Sequence, residues 1–293
     1  MPWTMPQPVK VAETTELLPF LFTAYPDVKR TKVRQWLKFG AVLINGVPTT
    51  RFNTQLQPGD VVSVRSEKAA REQNLLPPGM TVLHEDPEII VINKPENLLT
   101  IASEAEREET AYAYLTDYVK RGRPQSRDRI WIVHRLDRET SGLMIFARTV
   151  EVKETLQTNW DQAEKCYLAV VEGTMREDSG TMHSHLDENS PYKVYPGPPG
   201  ERTREAITHY RVLKRGSDRT LVSLRLETGR RHQIRVQLAA LGHPIVGDEK
   251  YEATTDPAKR LGLHSHTLKL SHPVTGEALS FESPLPLELV RLV

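Results

Sequence analysis

The chain has 293 residues, of which 26% are charged and 38% hydrophobic, and its formal net charge is +1. At roughly 100–200 residues per domain, this length predicts about two domains. No apolar run approaches the ~18 residues of a membrane helix, and the N-terminus lacks the apolar stretch of a secretory signal. The single cysteine, Cys166, excludes an intrachain disulfide, and any four-ligand zinc site would need at least three other ligands. These features predict a cytoplasmic protein.

The first part of the chain predicts a small unit of helices and a hairpin. In chain order we expect a loose tail at 1–13, helices at 13–25 and 32–39, and strands at 41–44, from 47, and at 61–64. Thr31 can cap the second helix, in which Val33, Trp36 and Leu37 share one face. The Asn45-Gly46 pair between apolar residues predicts a tight hairpin turn. Residues 67–79 are polar, end in Pro-Pro-Gly, and are predicted to be a linker.

The remaining residues predict a larger, strand-rich domain. We expect strands at 81–84, 89–92, 130–133, 143–147, 165–171, 221–227, 263–270 and 279–282, with helices at 110–121, 150–160 and 231–241. These elements lack the regular strand–helix alternation of a parallel sheet. The order therefore favours the α+β class.

The charges are unevenly distributed although the total is near zero. Residues 27–51 contain six basic residues and one acidic residue, and residues 118–138 contain seven basic and two acidic residues. Local basic patches can bind phosphates without a strongly basic total. For one patch alone, solvated surface charge is the more frequent explanation.

The most informative stretch is 134–143, His-Arg-Leu-Asp-Arg-Glu-Thr-Ser-Gly-Leu, which lies between two predicted strands. Asp137 is flanked by Arg135 and Arg138, and neighbouring cations favour the ionised form of an acid. An ionised carboxylate can act as a nucleophile or a base. From these residues alone, a structural ion pair is the more frequent explanation. Gly142 is expected to permit a tight turn.

This stretch resembles the active-site motif of the RluA-type pseudouridine synthases, which modify large-subunit rRNA or tRNA. Further blocks resemble the same family in the expected order, at 85–95, 165–169, 228–235, 242–248 and 263–266, so that the resemblance spans about 81–286. It implies an α+β fold with a catalytic domain at 80–293, built on a mixed, mainly antiparallel sheet flanked by helices around a central active-site cleft.

The resemblance implies roles for three catalytic residues. Asp137 attacks the target uridine, on the ribose or on the base, so that the glycosidic bond breaks and the uracil reattaches through carbon. Arg235 pairs with Asp137 and keeps it charged, while Tyr167 stacks on the uracil and takes part in the final proton transfer. Such an isomerisation needs no metal and no organic cofactor. Taken alone, Arg235 would be an ordinary helix arginine and Tyr167 a half-buried strand tyrosine.

Six further residues are expected to bind the substrate: His134, Arg135, Arg138, Thr140, Arg231 and Ile234. Arg135 either fills the gap left by a flipped base or contacts a phosphate. His134 is expected to shape the loop by hydrogen bonding, and Thr140 and Ser141 to cap its backbone. The predicted helix from Arg231 places this residue one turn before Arg235, so that one faces the site while the other reaches phosphate. Ile234 closes the apolar wall of the pocket.

Residues 29–64 resemble the αL RNA-binding module named after ribosomal protein S-four, and the whole domain is expected at 14–66. A basic helix followed by a tight hairpin offers cations to phosphates on one surface, and such a module anchors structured RNA with little base readout. The expected phosphate contacts are Lys29, Arg30, Lys32, Arg34 and Lys38. The resemblance therefore predicts RNA as the partner, rRNA before tRNA, with no metal. A monomer is the default expectation, and no membrane contact is expected.

The chain departs from the family pattern in two loops. After Lys94-Pro95 the family usually has a small residue and a glycine, where this chain has Glu96-Asn97. After Tyr251 it usually has a glycine, where this chain has Glu252. Asparagine tolerates the left-handed conformation, so the first change is mild.

Two other classes of function stay open. A catalytically silent RNA-binding factor for ribosome assembly would use the same fold, although retention of all three catalytic candidates argues against it. Hydrolytic nucleoside cleavage usually needs two carboxylates, of which Glu139 would be the second. His264 and His266 alternate on a strand and point the same way, but no nearby pattern completes a metal-ligand set, so strand or pocket-edge positions are favoured.

Overall fold

The computed structural model of the chain describes residues 6–66, 76–102, 109–120 and 125–293, and of Lys38 only the backbone. Most of the predicted linker, the start of the predicted tail and the Lys38 side chain therefore lie outside the described part. The chain divides into two compact units. Within the described ranges, the first comprises 6–66, 76–77, 114–120 and 125–128, and the second comprises 78–102, 109–113 and 129–293.

Six α-helices lie in these ranges: α1 Leu17–Ala24, α2 Arg30–Lys38, α3 Ala111–Val119, α4 Val150–Thr158, α5 Gln233–Ala240 and α6 Leu287–Val290. Short 3-10 turns follow at Trp160–Gln162 and Glu249–Tyr251. The strands are β1 Val9–Lys10, β2 Thr15–Glu16, β3 Val42–Ile44, β4 Val47–Thr49, β5 Gln55–Leu56, β6 Val61–Val64, β7 Thr81–Glu85, β8 Ile89–Lys94, β9 Trp131–Ile132, β10 Ser141–Ala147, β11 Glu164–Glu172, β12 Ser179–Asp187, β13 Tyr195–Gly197, β14 Thr203–Arg215, β15 Arg219–Leu226, β16 Leu263–Ser271 and β17 Ala278–Glu282.

In the first unit, two helices pack on a four-stranded sheet in the order β1-β6-β3-β4, and β2 pairs with β5. The predicted apolar face of α2 is buried, with Val33, Trp36 and Leu37 in the core. The hairpin prediction is confirmed, since Asn45 and Gly46 both have positive φ angles of 51° and 82°. The predicted cap is wrong: α2 begins at Arg30, so Thr31 lies inside its first turn.

The second unit is built on one eleven-stranded sheet, in which nine strands follow the order β13-β12-β14-β15-β11-β16-β10-β8-β7, with β17 beside β16 and β9 beside β10. Every strand pairing in it is antiparallel except that of β10 with β16. α4 covers the β8–β10 region and α5 covers β11 and β15, so each buries a separate apolar cluster. The α+β class and the mixed, mainly antiparallel sheet are confirmed.

Three strands of this sheet, β12 to β14, were not predicted. They form an antiparallel extension in which the thirteen-residue β14 pairs with β12 and β15. Its sequence mixes arginine, glutamate and histidine with few apolar residues because, within β14, only Ala206 and Thr208 are buried. None of the helices in the described ranges combines the length and apolarity needed to span a bilayer.

The parallel pairing of β10 with β16 sets the position of the loop that precedes β10. Gly142 has a φ of 112°, and a Cβ at this position would lie 2.2 Å from the carbonyl oxygen of Ser265. Gly142 is therefore required by the close approach of β16 as well as by its own backbone. Ser141 hydrogen-bonds to His264 Nδ1 at 2.8 Å and to Arg260 Nη2 at 2.5 Å, so it joins strands and does not cap the loop as predicted.

Candidate active site

Asp137 lies on the loop between β9 and β10, and a buried lysine holds that loop. Lys94 Nζ donates to the carbonyl oxygens of Pro95 at 2.8 Å, Leu98 at 2.8 Å and Arg138 at 3.2 Å. Burial lowers the pKa of Lys94 to about 7, against the opposing charge of Asp137. The Lys94 amino group thus ties the end of β8 to the residue that follows Asp137.

Two further side chains fix the start of the same loop. Thr100 Oγ1 donates to the Leu136 carbonyl at 2.8 Å and accepts from the Leu136 N–H at 3.2 Å. His134 Nε2 accepts from the Ile145 N–H at 3.2 Å, and its ring stacks on Trp160. Burial lowers the pKa of His134 to about 3, so the ring is neutral and cannot act as a cation. The His134 ring thus joins the loop to β10, and its expected contact with substrate stays a prediction.

Arg235, on α5, joins three carboxylates in one buried ion-pair network. Its Nε and Nη2 atoms each lie 2.7 Å from an oxygen of Asp248, which is the bidentate geometry that orients a guanidinium. The remaining Nη1 lies 3.3 Å from Asp137 Oδ2 and 3.5 Å from Glu139 Oε2. Burial opposes the charge of Arg235, but the hydrogen bonds and charge of Asp248 outweigh it and raise the pKa of Arg235. Arg235 is a permanent cation aimed at Asp137.

The residue before α5 adds a second group beside Asp137. His232 has a left-handed backbone, with a φ of 53°, and its Nε2 lies 3.8 Å from Asp137 Oδ2. Its Nδ1 lies 2.8 Å from the hydroxyl of Tyr251, whose ring faces the Arg235 guanidinium at 5.3 Å. Burial is the main cause of a lowered pKa of His232, against the opposing charge of Asp137.

Arg231 occupies a different position from the one predicted. His232 has a left-handed backbone, so helix α5 begins only at Gln233. Arg231 therefore lies outside the helix and does not share a helical face with Arg235. The Arg231 guanidinium donates to the carbonyl oxygens of Glu188, Ser190 and Pro191. Arg231 therefore organises the loop at 188–191 and is not directed at a phosphate.

Tyr167 faces the same region from β11, where the pairing with β16 shifts register between Cys166 and Tyr167. Such irregularities re-aim side chains beside active sites. Burial raises the pKa of Tyr167 to about 12, the nearby charge of Asp137 adds to this, and a hydrogen bond with Ser265 opposes it. Tyr167 packs against the apolar cluster that contains Ile234.

The remaining loop candidates lie around Asp137. Arg135 and Arg138 are exposed, and Arg138 Nε donates to the Asn97 carbonyl at 3.4 Å. Thr140 is buried, and its backbone N–H donates to the Asp137 carbonyl. The loop thus presents an anion between two outward arginines, with a buried cation behind it.

A family model described as RNA pseudouridylate synthase matches residues 88–240, which include Asp137, Tyr167 and Arg235. The chain belongs to this family. It is an RNA pseudouridine synthase of the RluA type, and therefore an isomerase.

Curated relatives of this pseudouridine synthase match most of the chain. A protein of Haemophilus ducreyi named ribosomal large subunit pseudouridine synthase D is 31% identical, with 92% of this chain and 87% of that protein covered. An uncharacterized RNA pseudouridine synthase of Bacillus subtilis is 34% identical, with 94% and 91% covered. Among solved structures, human RNA pseudouridylate synthase domain containing 4 is similar with a TM-score of 0.60 and 25% identity, over 71% of this chain and 90% of that one.

In the N-terminal unit of this synthase, the predicted phosphate contacts lie on or just before α2. Lys29, Arg30 and Arg34 are exposed, and Lys32 is half-buried. The guanidiniums of Arg30 and Arg34 lie over the Phe22 ring, at 5.1 and 5.9 Å from its centre. The Phe22 ring thus brings the two guanidiniums together in cation–π contacts.

Several residues of the synthase site were not predicted as site residues, namely Lys94, His232, Asp248 and Tyr251. All four lie in or beside blocks that resemble the family, but their pairings are tertiary and leave no spacing signal. His264 and His266 both face Ser283, with ring nitrogens 2.7–3.2 Å from its oxygens. Within the described ranges, no group of three or more His, Cys, Asp or Glu side chains is arranged to hold a metal ion.

Proposed function

We propose that this enzyme isomerises specific uridines of structured RNA, large-subunit ribosomal RNA before tRNA, with Asp137 as the nucleophile. Curated relatives from Haemophilus ducreyi, Vibrio cholerae and Escherichia coli, at 31–34% identity, carry the name ribosomal large subunit pseudouridine synthase D. The observation that carries the proposal is the contact of Arg235 with Asp137. A buried cation, fixed by Asp248, faces a carboxylate that keeps 23% of its side chain exposed.

This arrangement suits a nucleophile because a guanidinium lies beside Asp137 while the carboxylate stays reachable. The adjacent cation attracts the carboxylate, and the partial exposure leaves room for the ribose or the base. In the ribose route, an oxygen of Asp137 bonds to C1′ as the C1′–N1 bond breaks, and uracil is released as an anion. The uracil turns, C5 bonds to C1′ as the bond between Asp137 and C1′ breaks, and the C5 proton passes to solvent while N1 takes up a proton, so that atoms and charge balance and Asp137 is regenerated.

Tyr167 is proposed to stack on the uracil during this turn. Because its pKa is raised to about 12, the side chain is a neutral phenol at neutral pH. A neutral phenol cannot accept the C5 proton directly, so Tyr167 orients the ring and takes part in that transfer only by donating or relaying a hydrogen bond. Ile234 supplies the apolar wall behind it.

The target base must leave its stack before Asp137 can reach it, at a cost of a few kcal/mol. We propose that the exposed Arg135 either fills the resulting gap or holds a neighbouring phosphate. Arg138, whose Nε donates to the Asn97 carbonyl, is proposed to contact the RNA backbone. The N-terminal residues 14–66 would anchor the RNA through Lys29, Arg30, Lys32, Arg34 and Lys38, with 67–79 as a linker and 80–293 as the catalytic domain. We expect a cytoplasmic monomer.

The test measures tritium release from RNA labelled at uridine C5, together with carbodiimide mapping of pseudouridine in rRNA and tRNA. Wild-type enzyme should release tritium at one or a few uridines, and Asp137→Asn should bind the RNA but release none. Glu139→Gln is the matched carboxylate variant and should still form pseudouridine. Turnover by Asp137→Asn would remove the nucleophile from the proposal, and binding without any modification by wild type would favour the silent assembly factor.

The same reactions separate isomerisation from hydrolysis. Hydrolytic cleavage would release free uracil and leave an abasic site, and it would depend on both carboxylates. We expect no free uracil. For the N-terminal module, charge reversal at Arg34 and Lys38 should weaken RNA binding and flatten its salt dependence. Unchanged affinity and an unchanged salt slope would exclude this surface from recognition.

A further inference from the structure

The hydroxyl of Tyr251 determines which nitrogen of His232 carries the proton. The Val194 N–H donates to the Tyr251 oxygen at 3.0 Å, and His232 Nδ1 lies 2.8 Å from the same oxygen. A phenol has a single proton. If Nδ1 also donated, that proton would need a third partner, and an unpaired buried donor is unfavourable. These two groups are the hydrogen-bond partners of the hydroxyl in the described part of the chain, so Tyr251 donates to Nδ1.

The proton of His232 therefore sits on Nε2, the nitrogen that faces Asp137. The Nε2 atom lies 3.8 Å from Oδ2, beyond a hydrogen bond but within reach of one after a small movement of the loop. The ring is neutral at neutral pH because burial lowers the pKa of His232, as do the charges of Arg235, Lys250 and Arg231, while Asp137 opposes them. A neutral imidazole has a single N–H, so with the proton on Nε2 the ring can donate only towards Asp137.

The backbone of His232 is strained in a way that favours this orientation of the ring. His232 adopts the left-handed conformation, which is uncommon for residues other than glycine. Strain of this kind persists where the surroundings require it and is concentrated at functional sites. Here it turns the imidazole back between Tyr251 and Asp137, with only 10% of the side chain exposed.

The two groups converge on the same oxygen of Asp137. Arg235 Nη1 lies 3.3 Å from Oδ2, and His232 Nε2 lies 3.8 Å from it. We propose that His232 is a positioning residue, whose Nε2–H, directed by the Tyr251 hydroxyl, holds Oδ2 opposite Arg235 and leaves Oδ1 as the attacking oxygen. This inference rests on the proposed function of Asp137 as the nucleophile.

Each of two variants removes one group from the series Tyr251 hydroxyl, His232 ring and Asp137 carboxylate. Tyr251→Phe keeps the ring but loses the hydroxyl, and His232→Asn tolerates the left-handed backbone but is too short to join Tyr251 to Asp137. Because hydrogen bonds to charged groups are among the stronger ones, each variant should lower kcat about tenfold with KM within about twofold. Tyr210→Phe is the matched control, since its hydroxyl lies against Gly180 on a neighbouring strand, and it should keep the wild-type kcat.

The double variant separates a shared path from two independent effects. If Tyr251 acts through His232, the double variant should be no slower than the slower single variant. Multiplied losses would overturn the proposal, as would wild-type kcat in His232→Asn. Thermal unfolding of each variant shows whether it is folded at the assay temperature, because a merely structural role would lower the melting temperature without lowering kcat.

The tautomer itself can be read without RNA or turnover. In ¹⁵N NMR spectra of the imidazole rings at neutral pH, wild type should show His232 protonated at Nε2 and unprotonated at Nδ1. Tyr251→Phe should shift this signal towards a mixture of tautomers, whereas Tyr210→Phe should not. A proton on Nδ1 of the wild-type ring would overturn the inference. If wild type modified no RNA, the proposed function would fail while the tautomer could still be established.

Discussion

Replacement of Asp248 by asparagine isolates the buried half of the ion-pair network around Arg235. Asp248 and Arg235 expose 0% and 3% of their side chains and share two 2.7 Å contacts. Breaking a buried pair by removing one charge typically destabilises a protein by about 3–5 kcal/mol. Asparagine keeps one acceptor oxygen, and Asp137 and Glu139 remain near the guanidinium, so we expect about 3 kcal/mol. With its bidentate partner gone, Arg235 should also orient Asp137 less well.

The assay is equilibrium urea unfolding, with the m-value checked for constancy, followed by tritium release at saturating RNA. Glu139→Gln is the matched control on the same guanidinium, because Glu139 is 40% exposed and its contact is 3.5 Å long. An exposed pair of this kind contributes below about 1 kcal/mol. Equal losses of stability in the two variants would refute the reasoning that burial makes the Asp248 contact decisive.

Three further substitutions test other parts of the second unit. Burial lowers the pKa of His264 to about 4. The stability that the neutral ring contributes is therefore complete above the unfolded pKa near 6.5 and is lost as the pH falls towards 4. In His264→Gln, the fall in unfolding free energy between these pH values should be about 3 kcal/mol smaller than in the wild type. Gly142→Ala should destabilise the fold by more than about 3 kcal/mol and abolish activity because its Cβ meets Ser265, whereas Gly200→Ala, with open space around it, should be neutral in denaturant titrations. Glu252→Gly should raise stability by about 0.5–1 kcal/mol, seen as a higher melting temperature, because Glu252 has a φ of 71°.

The sequence was informative wherever local chemistry decides the structure. Asn45-Gly46 predicted the hairpin because only a few residues tolerate two successive positive φ angles. Asn97 and Glu252 are both left-handed, which explains why glycine is usual at their positions in the family. The order of the family blocks led to the catalytic candidates Asp137 and Arg235, which the fold places 3.3 Å apart.

Some of the failures arose because tertiary contacts overrode local pattern. The helix expected from Arg231 starts two residues later because His232 turns back towards Tyr251. Strands β12 to β14 have little apolar periodicity because few of their side chains are buried, namely Met182 and Leu186 in β12 and Ala206 and Thr208 in β14. The sequence gives no sign that Asp248 is the ion-pair partner of Arg235, because the two residues are thirteen positions apart and only the fold brings them together.

The parallel pairing of β10 with β16 has a consequence for how the enzyme is made. The hydrogen bond of Ser141 with His264 spans 123 residues, and the intervening chain contains β11 to β15. At a synthesis rate of about 5–20 residues per second, β16 leaves the ribosome roughly 6–25 s after β10. The Asp137 loop thus stays incompletely held until residues 263–271 have emerged, so a nascent chain cannot modify the RNA around it before β16 has been made.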